Sequence, residues 1–397
     1  MLTIEEKSGH RYALHHLGFR PFFLLAGLFA FVSIIGWAWL YHGNGSLPGS
    51  PAMSGNIWHA HEMIFAYGMA VVAGFLLTAV KNWTGIQTLH GPWLMVLAII
   101  WLLARCLPFV NHPGAITVMA VLDISFNLFL SLAILHPIAK VRQWRQLFIW
   151  LCLIIMMLAN LWFYAAWLGY TGGVLNSLYT GLYTLLMLIT LMGRRVIPFF
   201  IERGVNNGTR VKNWRLVDIT IISLMPLFFI LDIFTDLTLY VTGLALILSL
   251  AHGARLVGWY IDGIFRKPMV WVLYLGYGWI VAGFVLKGLG TMLPISPNLA
   301  LHAFSYGAIG TVTMGMMSRV SLGHTGRDLY EPRPQLALAF GLLLLGAVIR
   351  VLLPLPAPML YPLWIGLSQG LWIIAFAIFV WTYAPILLRA RIDGRHG

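Results

Sequence analysis

The chain has 397 residues, of which 60% are hydrophobic and only 9% charged, and it carries a net charge of +13. Mean hydropathy is +0.85. A water-soluble domain carries about 25% charged residues, so this chain lacks the polar surface to live in water, and lipid is its expected solvent. Its two cysteines, Cys106 and Cys152, both sit in apolar runs, which excludes a disulfide framework and a CxxC metal or redox motif. No nucleic-acid motif is present, and the polar connections are too short to fold a binding domain.

A membrane-spanning helix needs about 20 apolar residues. Taken in chain order, twelve such runs occur near 19–41, 57–80, 92–110, 115–136, 145–169, 174–199, 216–232, 237–259, 269–290, 299–320, 335–354 and 358–388. The first apolar stretch is longer than the core of a cleaved signal peptide, ~7–15 residues. The break between the seventh and eighth runs rests on Asp232 and Asp236, which are costly at mid-membrane without partners. The loop HGNGSLPGSPAMSG after the first run is rich in Gly, Ser and Pro and reads as irregular. Basic residues collect on the cytoplasmic side of membrane proteins. With the N-terminus inside, all of the 25 Lys and Arg except Arg105, Lys287 and Arg350 fall on that side. The expected fold class is therefore all-α, a polytopic membrane protein of about twelve transmembrane helices with cytoplasmic N- and C-termini. The basic excess is a topology signal and needs no acidic partner. The whole chain, 1–397, reads as one integral membrane domain. Its basic loop 202–215 lies near the midpoint, compatible with halves 1–201 and 216–397, although no sequence repeat relates them.

Ionisable groups inside spans are few. Asp123 lies well inside the fourth run, with Asn127 one turn on, and Arg105 lies toward the end of the third. These runs form a tight hairpin, so an Arg105–Asp123 ion pair is expected, with a structural clamp as its plain reading. Lys287 is placed to snorkel, and Asn160 to bond a neighbouring helix.

The thirteen histidines cluster at the two membrane faces. His42, His59, His61, His112 and His302 fall on the outer side. His10, His15, His16, His90, His136, His252, His324 and His396 fall on the inner. Neutral imidazole ligates haem iron, copper and zinc, but an isolated interfacial histidine is ordinarily a solvated side chain, and His10, His42, His90, His112 and His396 read that way. The segment NIWHAHEMIFAYG, residues 56–68, differs. His59 and His61 point about 200° apart on one helix, so they serve two sides unless the helix unwinds there. Glu62, at i+3 from His59, is placed to orient that ring, and Gly68 leaves room for a flat macrocycle. The tenth run offers HAFSYGAIGTVTMGMMSRVSLGHTGR, 302–327. His302 and His324 are 22 residues apart, about 33 Å along a helix, and cannot share one mononuclear site. Gly307, Gly310 and Gly315 permit close approach of a helix or a cofactor. Met314, Met316 and Met317 offer thioethers, with helix packing as the plainer reading. Arg319 suits a lipid phosphate or a haem propionate.

The strings GFRPFF (18–23), HAHEM (59–63), AGFLLTAVKNWTG (73–85) and GAIGTVTMGMMSRVSLGHTGR (307–327) resemble the NnrS family, with weaker echoes in RRVIPFF (194–200) and RLVGWY (255–260). The resemblance implies a twelve-span bacterial cytoplasmic-membrane protein associated with haem, b-type, and with copper. It implies a place in the response to nitric oxide and nitrosative stress, often alongside denitrification. It makes His59, His61, His302 and His324 the leading metal or haem ligands. Relatives commonly carry His where this chain has Tyr274, so one site is altered here or uses another ligand.

Three functions follow as expectations. The first is a haem/copper protein that binds and reduces nitric oxide. Its outer metal centre would use His59, His61 and His302, with Glu62 as the catalytic proton-handling group. An inner haem near His252 and His324, with Arg319 at its rim, would pass electrons from a quinol or cytochrome donor. The second is a secondary transporter of a small solute, metal or haem-related compound. The third is a non-catalytic nitric oxide sensor using the same ligands.

Overall fold

The computed structural model describes residues 12–43, 45–205, 208–329 and 333–394; His10 and His396 lie outside the described residues. The described residues form twelve helical runs. They are α1 (Phe19–His42), α2 (Gly55–Thr84), α3 (Gly91–Phe109), α4 (Ala115–Lys140), α5 (Trp144–Trp167), α6 (Val174–Val205), α7 (Arg215–Phe234), α8 (Thr238–Trp259), α9 (Pro268–Leu289), α10 (297–324), α11 (Pro334–Val351) and α12 (Pro358–Leu388). Each matches one of the apolar runs read from the sequence. All but α10 are single runs long and apolar enough to cross a membrane. α10 is divided into Pro297–His302, a π-helical stretch Ala303–Gly310, and Thr311–His324. The protein is an all-α, multi-pass membrane protein. No strand occurs among the described residues, only an isolated bridge between Tyr12 and Arg389.

The chain forms two compact units. Unit 1 comprises the described residues of Met1–Thr184, Met317–Leu329 and Phe376–Gly397, and unit 2 those of Leu185–Met316 and Tyr330–Ala375. The outward faces of the helices are apolar: Ile99, Leu102, Val121, Phe129 and Leu158 in unit 1, and Leu239, Leu250 and Leu363 in unit 2, are all exposed. In water such surfaces would be a liability; against acyl chains they are the required covering.

Within unit 1, α1 and α2 approach closely because glycines face them. A Cβ on Gly18 would lie 2.4 Å from Leu77 Cβ, and one on Gly74 2.7 Å from Phe23 Cδ1. The same GFRPFF segment carries Arg20, whose side chain is fully buried. Its Nη1 donates to the carbonyls of Leu387 at 2.9 Å and Arg389 at 2.7 Å, with Ile386 at 3.4 Å. A helix leaves its last carbonyls unpaired and its C-terminus partially negative. Arg20 supplies both the donors and the positive charge for the end of α12.

In unit 2, Lys287 does not snorkel. Its Nζ meets Asp232 Oδ1 at 2.8 Å, joining α9 to α7. The aspartate that marks the α7 end thereby has a partner, and pairing is cheaper than leaving either charge near lipid alone.

Replacing Arg20 by Met should lower stability by about 2–3 kcal/mol, the loss of charge-assisted hydrogen bonds at a buried helix end, while Arg20→Lys should recover part of it. Equilibrium unfolding in mixed detergent micelles measures the difference.

Candidate functional site

α2 begins conventionally. Ser54 caps it, its side chain accepting from the Ile57 N–H at 3.3 Å. The run stays α-helical to His61, is π-wound over Glu62–Gly68, and returns to α at Met69. A π-turn carries one extra residue and re-aims the side chains that follow, and such turns recur at functional sites. His59 stacks on Trp37 of α1, with ring centroids 4.0 Å apart and planes 10° apart. His61 turns the other way, into a pocket of α5 residues, with its ring 4.4 Å from that of Phe163. The two histidines thus face different neighbours.

His61 is the entry to a buried polar cluster. Its Nδ1 lies 3.0 Å from Glu62 Oε1, and its Nε2 lies 3.0 Å from Asn160 Oδ1. Arg105 of α3 donates to Glu62 Oε2 at 2.7 Å and also to the Asp123 carboxylate of α4. Tyr164 of α5 donates to Asp123 Oδ2 at 2.6 Å. Four helices therefore converge on one knot of charge. The Arg105–Asp123 pair expected from the sequence is present, but Glu62 is a third member. The expectation that Glu62 orients His59 is corrected: Glu62 bonds His61 and Arg105, while His59 stacks on Trp37 of α1. Both nitrogens of His61 are engaged, and a metal would reach it only by displacing Asn160.

In unit 2, α10 repeats the winding. It is α-helical to His302 and then π over Ala303–Gly310. Phe65-Ala66-Tyr67-Gly68 and Phe304-Ser305-Tyr306-Gly307 occupy these two π-turns. That local F-x-Y-G likeness was available in the sequence, though a search for repeats between halves passes over it. His302 has a defined tautomer. Nδ1 lies 2.7 Å from the Asn298 carbonyl, which can only accept, and Nε2 lies 3.2 Å from Arg350 Nη2, which can only donate. The ring is thus protonated at Nδ1, with its Nε2 lone pair facing Arg350. Arg350 also donates to Tyr361 Oη at 2.9 Å. The glycines of α10 are filled by neighbouring helices. A Cβ on Gly307 would come 2.5 Å from Trp279 Cγ, on Gly310 2.6 Å from Trp372, and on Gly315 2.8 Å from Val272.

His252 of α8 is fully buried, with its ring stacked on Phe284 at 5.4 Å and 16°. Its Nδ1 lies 2.7 Å from Tyr277 Oη, and that oxygen accepts from Arg255 Nη1 at 3.0 Å. Arg255 continues to Asp218 Oδ1 at 2.6 Å, and Arg194 Nε donates to the same carboxylate at 2.9 Å. His252 Nε2 is enclosed and meets no hydrogen-bonding partner. His324 ends α10 within unit 1. Its ring lies 5.6 Å from that of Phe19, and its carbonyl accepts from Arg391 at 3.0 Å. Arg319 is buried in the last part of α10. Tyr274, where His was expected from the resemblance, donates to the Leu256 carbonyl at 3.2 Å. No group of three or more His, Cys, Asp or Glu is arranged to hold a metal ion among the described residues. Of the sequence-read residues, Glu62 and His61 meet directly. His59 and His61 belong to unit 1, as does His324, whereas His252 and His302 belong to unit 2. Sequence reasoning missed Tyr164, Tyr277, Arg255 and Arg350, whose roles depend on contacts between helices.

Arg105→Leu would leave Glu62 and Asp123 buried without their cation. The expected cost is about 3–5 kcal/mol, seen as a lower thermal midpoint and reduced yield of folded protein, and Arg105→Lys should fall between, because an ammonium lacks the fork that reaches two carboxylates.

The model of the family described as NnrS protein matches residues 13–391. No curated protein matches the chain. The match covers nearly the whole sequence, and the chain belongs to the NnrS family.

Proposed function

We propose that this NnrS-family chain is a haem- and copper-binding protein of the nitric oxide and nitrosative-stress response, set in a bacterial cytoplasmic membrane, that binds and reduces nitric oxide at a His-ligated metal centre. The family match supports a membrane protein of the nitric oxide response. The observation that carries the cofactor reading is His252, an entirely buried imidazole with Nε2 lacking any partner. An unmet buried polar atom costs about 1–3 kcal/mol, and a ligand bond at Nε2 would remove that cost. Tyr277 and Phe284 fix the ring for it, as the groups behind a metal-ligating histidine do.

His302 is the next best prepared. Its tautomer leaves the Nε2 lone pair as the coordinating atom, with Arg350 the group that would give way. His59, His61 and His324 complete the ligand set of this reading, with Arg319 as the partner of a haem propionate. When bound, such a group would supply a binding orbital for nitric oxide and a route for electrons. The chain's own residues would supply the rest. Reduction consumes two nitric oxide molecules, two electrons and two protons, and releases nitrous oxide and water. A quinol or cytochrome would donate the electrons. Glu62, hydrogen-bonded to His61 and Arg105 within the dry cluster of unit 1, is the proton-holding group of this reading.

Protein purified from haem- and copper-replete membranes should show a Soret band and bound copper, and the Soret band should move when nitric oxide is added. His252→Ala and His302→Ala should each lower cofactor content without loss of helicity. A helical, monodisperse preparation with neither haem nor copper would overturn the reading. Nitric oxide consumption driven by a chemical reductant separates turnover from binding alone.

A further inference from the structure

The connection between α8 and α9, with Val205 at the end of α6, forms an open cleft of about 420 Å³ lined by Val205, Asp262, Gly263, Arg266 and Lys267, all in unit 2. The loop reads YIDGIFRKP over 260–268. Gly263 turns it with φ +101°, and a Cβ there would come within 3.0 Å of Val205 Cγ1. Only glycine both takes that backbone conformation easily and leaves the wall clear. Arg266 and Lys267 are exposed, and neither forms an ion pair among the described residues. Lys267 is also the N-cap of α9, where the helix dipole adds positive potential. Asp262 accepts from the Tyr260 hydroxyl at 3.1 Å.

The surroundings of the cleft are aromatic. Tyr260 is 46% exposed and Phe265 56% exposed. The Phe265 ring lies 6.5 Å from that of Tyr260 and 6.3 Å from that of Tyr274. An exposed phenylalanine followed directly by two cations suits a level that is apolar on one side and anionic on the other. In a protein that crosses the membrane many times, the end of a spanning helix pair lies at that level, the lipid headgroups.

We propose that this cleft binds the headgroup of an anionic phospholipid such as phosphatidylglycerol. Arg266 and Lys267 hold the phosphodiester, Phe265 lies among the upper acyl carbons, and the Asp262 carboxylate accepts from a headgroup hydroxyl. The volume is within the range of small-molecule sites, roughly 300–1,000 Å³, and exceeds what one phosphate fills. The Asp262 charge also disfavours a free, highly charged anion.

The test is a native mass-spectrometric titration of the full chain in detergent with phosphatidylglycerol, phosphatidylcholine or inorganic phosphate. The first phosphatidylglycerol should bind in preference to phosphatidylcholine, and excess inorganic phosphate should not displace it. The R266Q/K267Q variant should weaken that first binding by about thirtyfold, from the loss of two cations near the lipid surface. K140Q/R145Q, an equal charge loss at another loop, should leave it unchanged. If the double variant loses helicity, the single R266Q, expected to lose about fivefold, stands in its place. An equal loss in K140Q/R145Q, no loss in a folded R266Q/K267Q, or displacement by inorganic phosphate would each overturn the proposal.

Discussion

The charge knot of Glu62, Arg105 and Asp123 is the constraint on which unit 1 depends. Two carboxylates and one guanidinium are buried among helices whose outer faces are apolar. Charges in that setting are tolerable only when each has partners. The requirement ties α2, α3, α4 and α5 together at one level, since each supplies a member. Glu62, at the start of the π-turn of α2, reaches Arg105 and His61 at once while His59 stays on Trp37.

Unit 2 handles polarity by different means. His302 leans on Arg350 and Asn298, and His252 on Tyr277, each with a cationic guanidinium close by. An arginine donates and never accepts, so it dictates what its partner presents. It holds the His302 Nε2 lone pair toward Arg350 and occupies one acceptor position of the Tyr277 oxygen. Beyond Tyr277, the chain of contacts through Arg255 to Asp218 carries no easy proton hop, because a guanidinium does not release its proton. That chain positions His252; it does not feed it protons. The two π-turns, each following a histidine and each holding F-x-Y-G, place comparable local geometry in both units.

Much of the fold was legible in the sequence because the bilayer imposes a length on every apolar run, and each of the twelve runs became one helical run. The ends at Asp232 and the pairing of Arg105 with Asp123 were legible for the same reason: a charge near lipid must end a span or find a partner. The role of Arg20 was not legible. It stands in the same string as Phe19 and Phe22, yet its partners lie at Leu387 and Arg389, over 360 residues on. Glu62 was assigned to the wrong histidine because its partner Arg105, and the Trp37 that holds His59, come from other helices. The glycines of α10 were read as room for a helix or a cofactor. They are filled by Trp279, Trp372 and Val272, a choice only tertiary packing makes. The distinction between His252 and the other histidines was invisible for the same reason, since an orphaned nitrogen is a property of its surroundings.

The central claim is that the imidazoles left prepared by this packing take a cofactor, His252 first. A cryo-electron microscopy map of the chain purified from haem- and copper-replete membranes tests it most directly. The account predicts density joined to His252 Nε2, with Tyr277 still on Nδ1 and the Glu62–Arg105–Asp123 knot unchanged. A well-ordered map in which His252 and His302 both stay bare, from a preparation that binds nitric oxide, would contradict it.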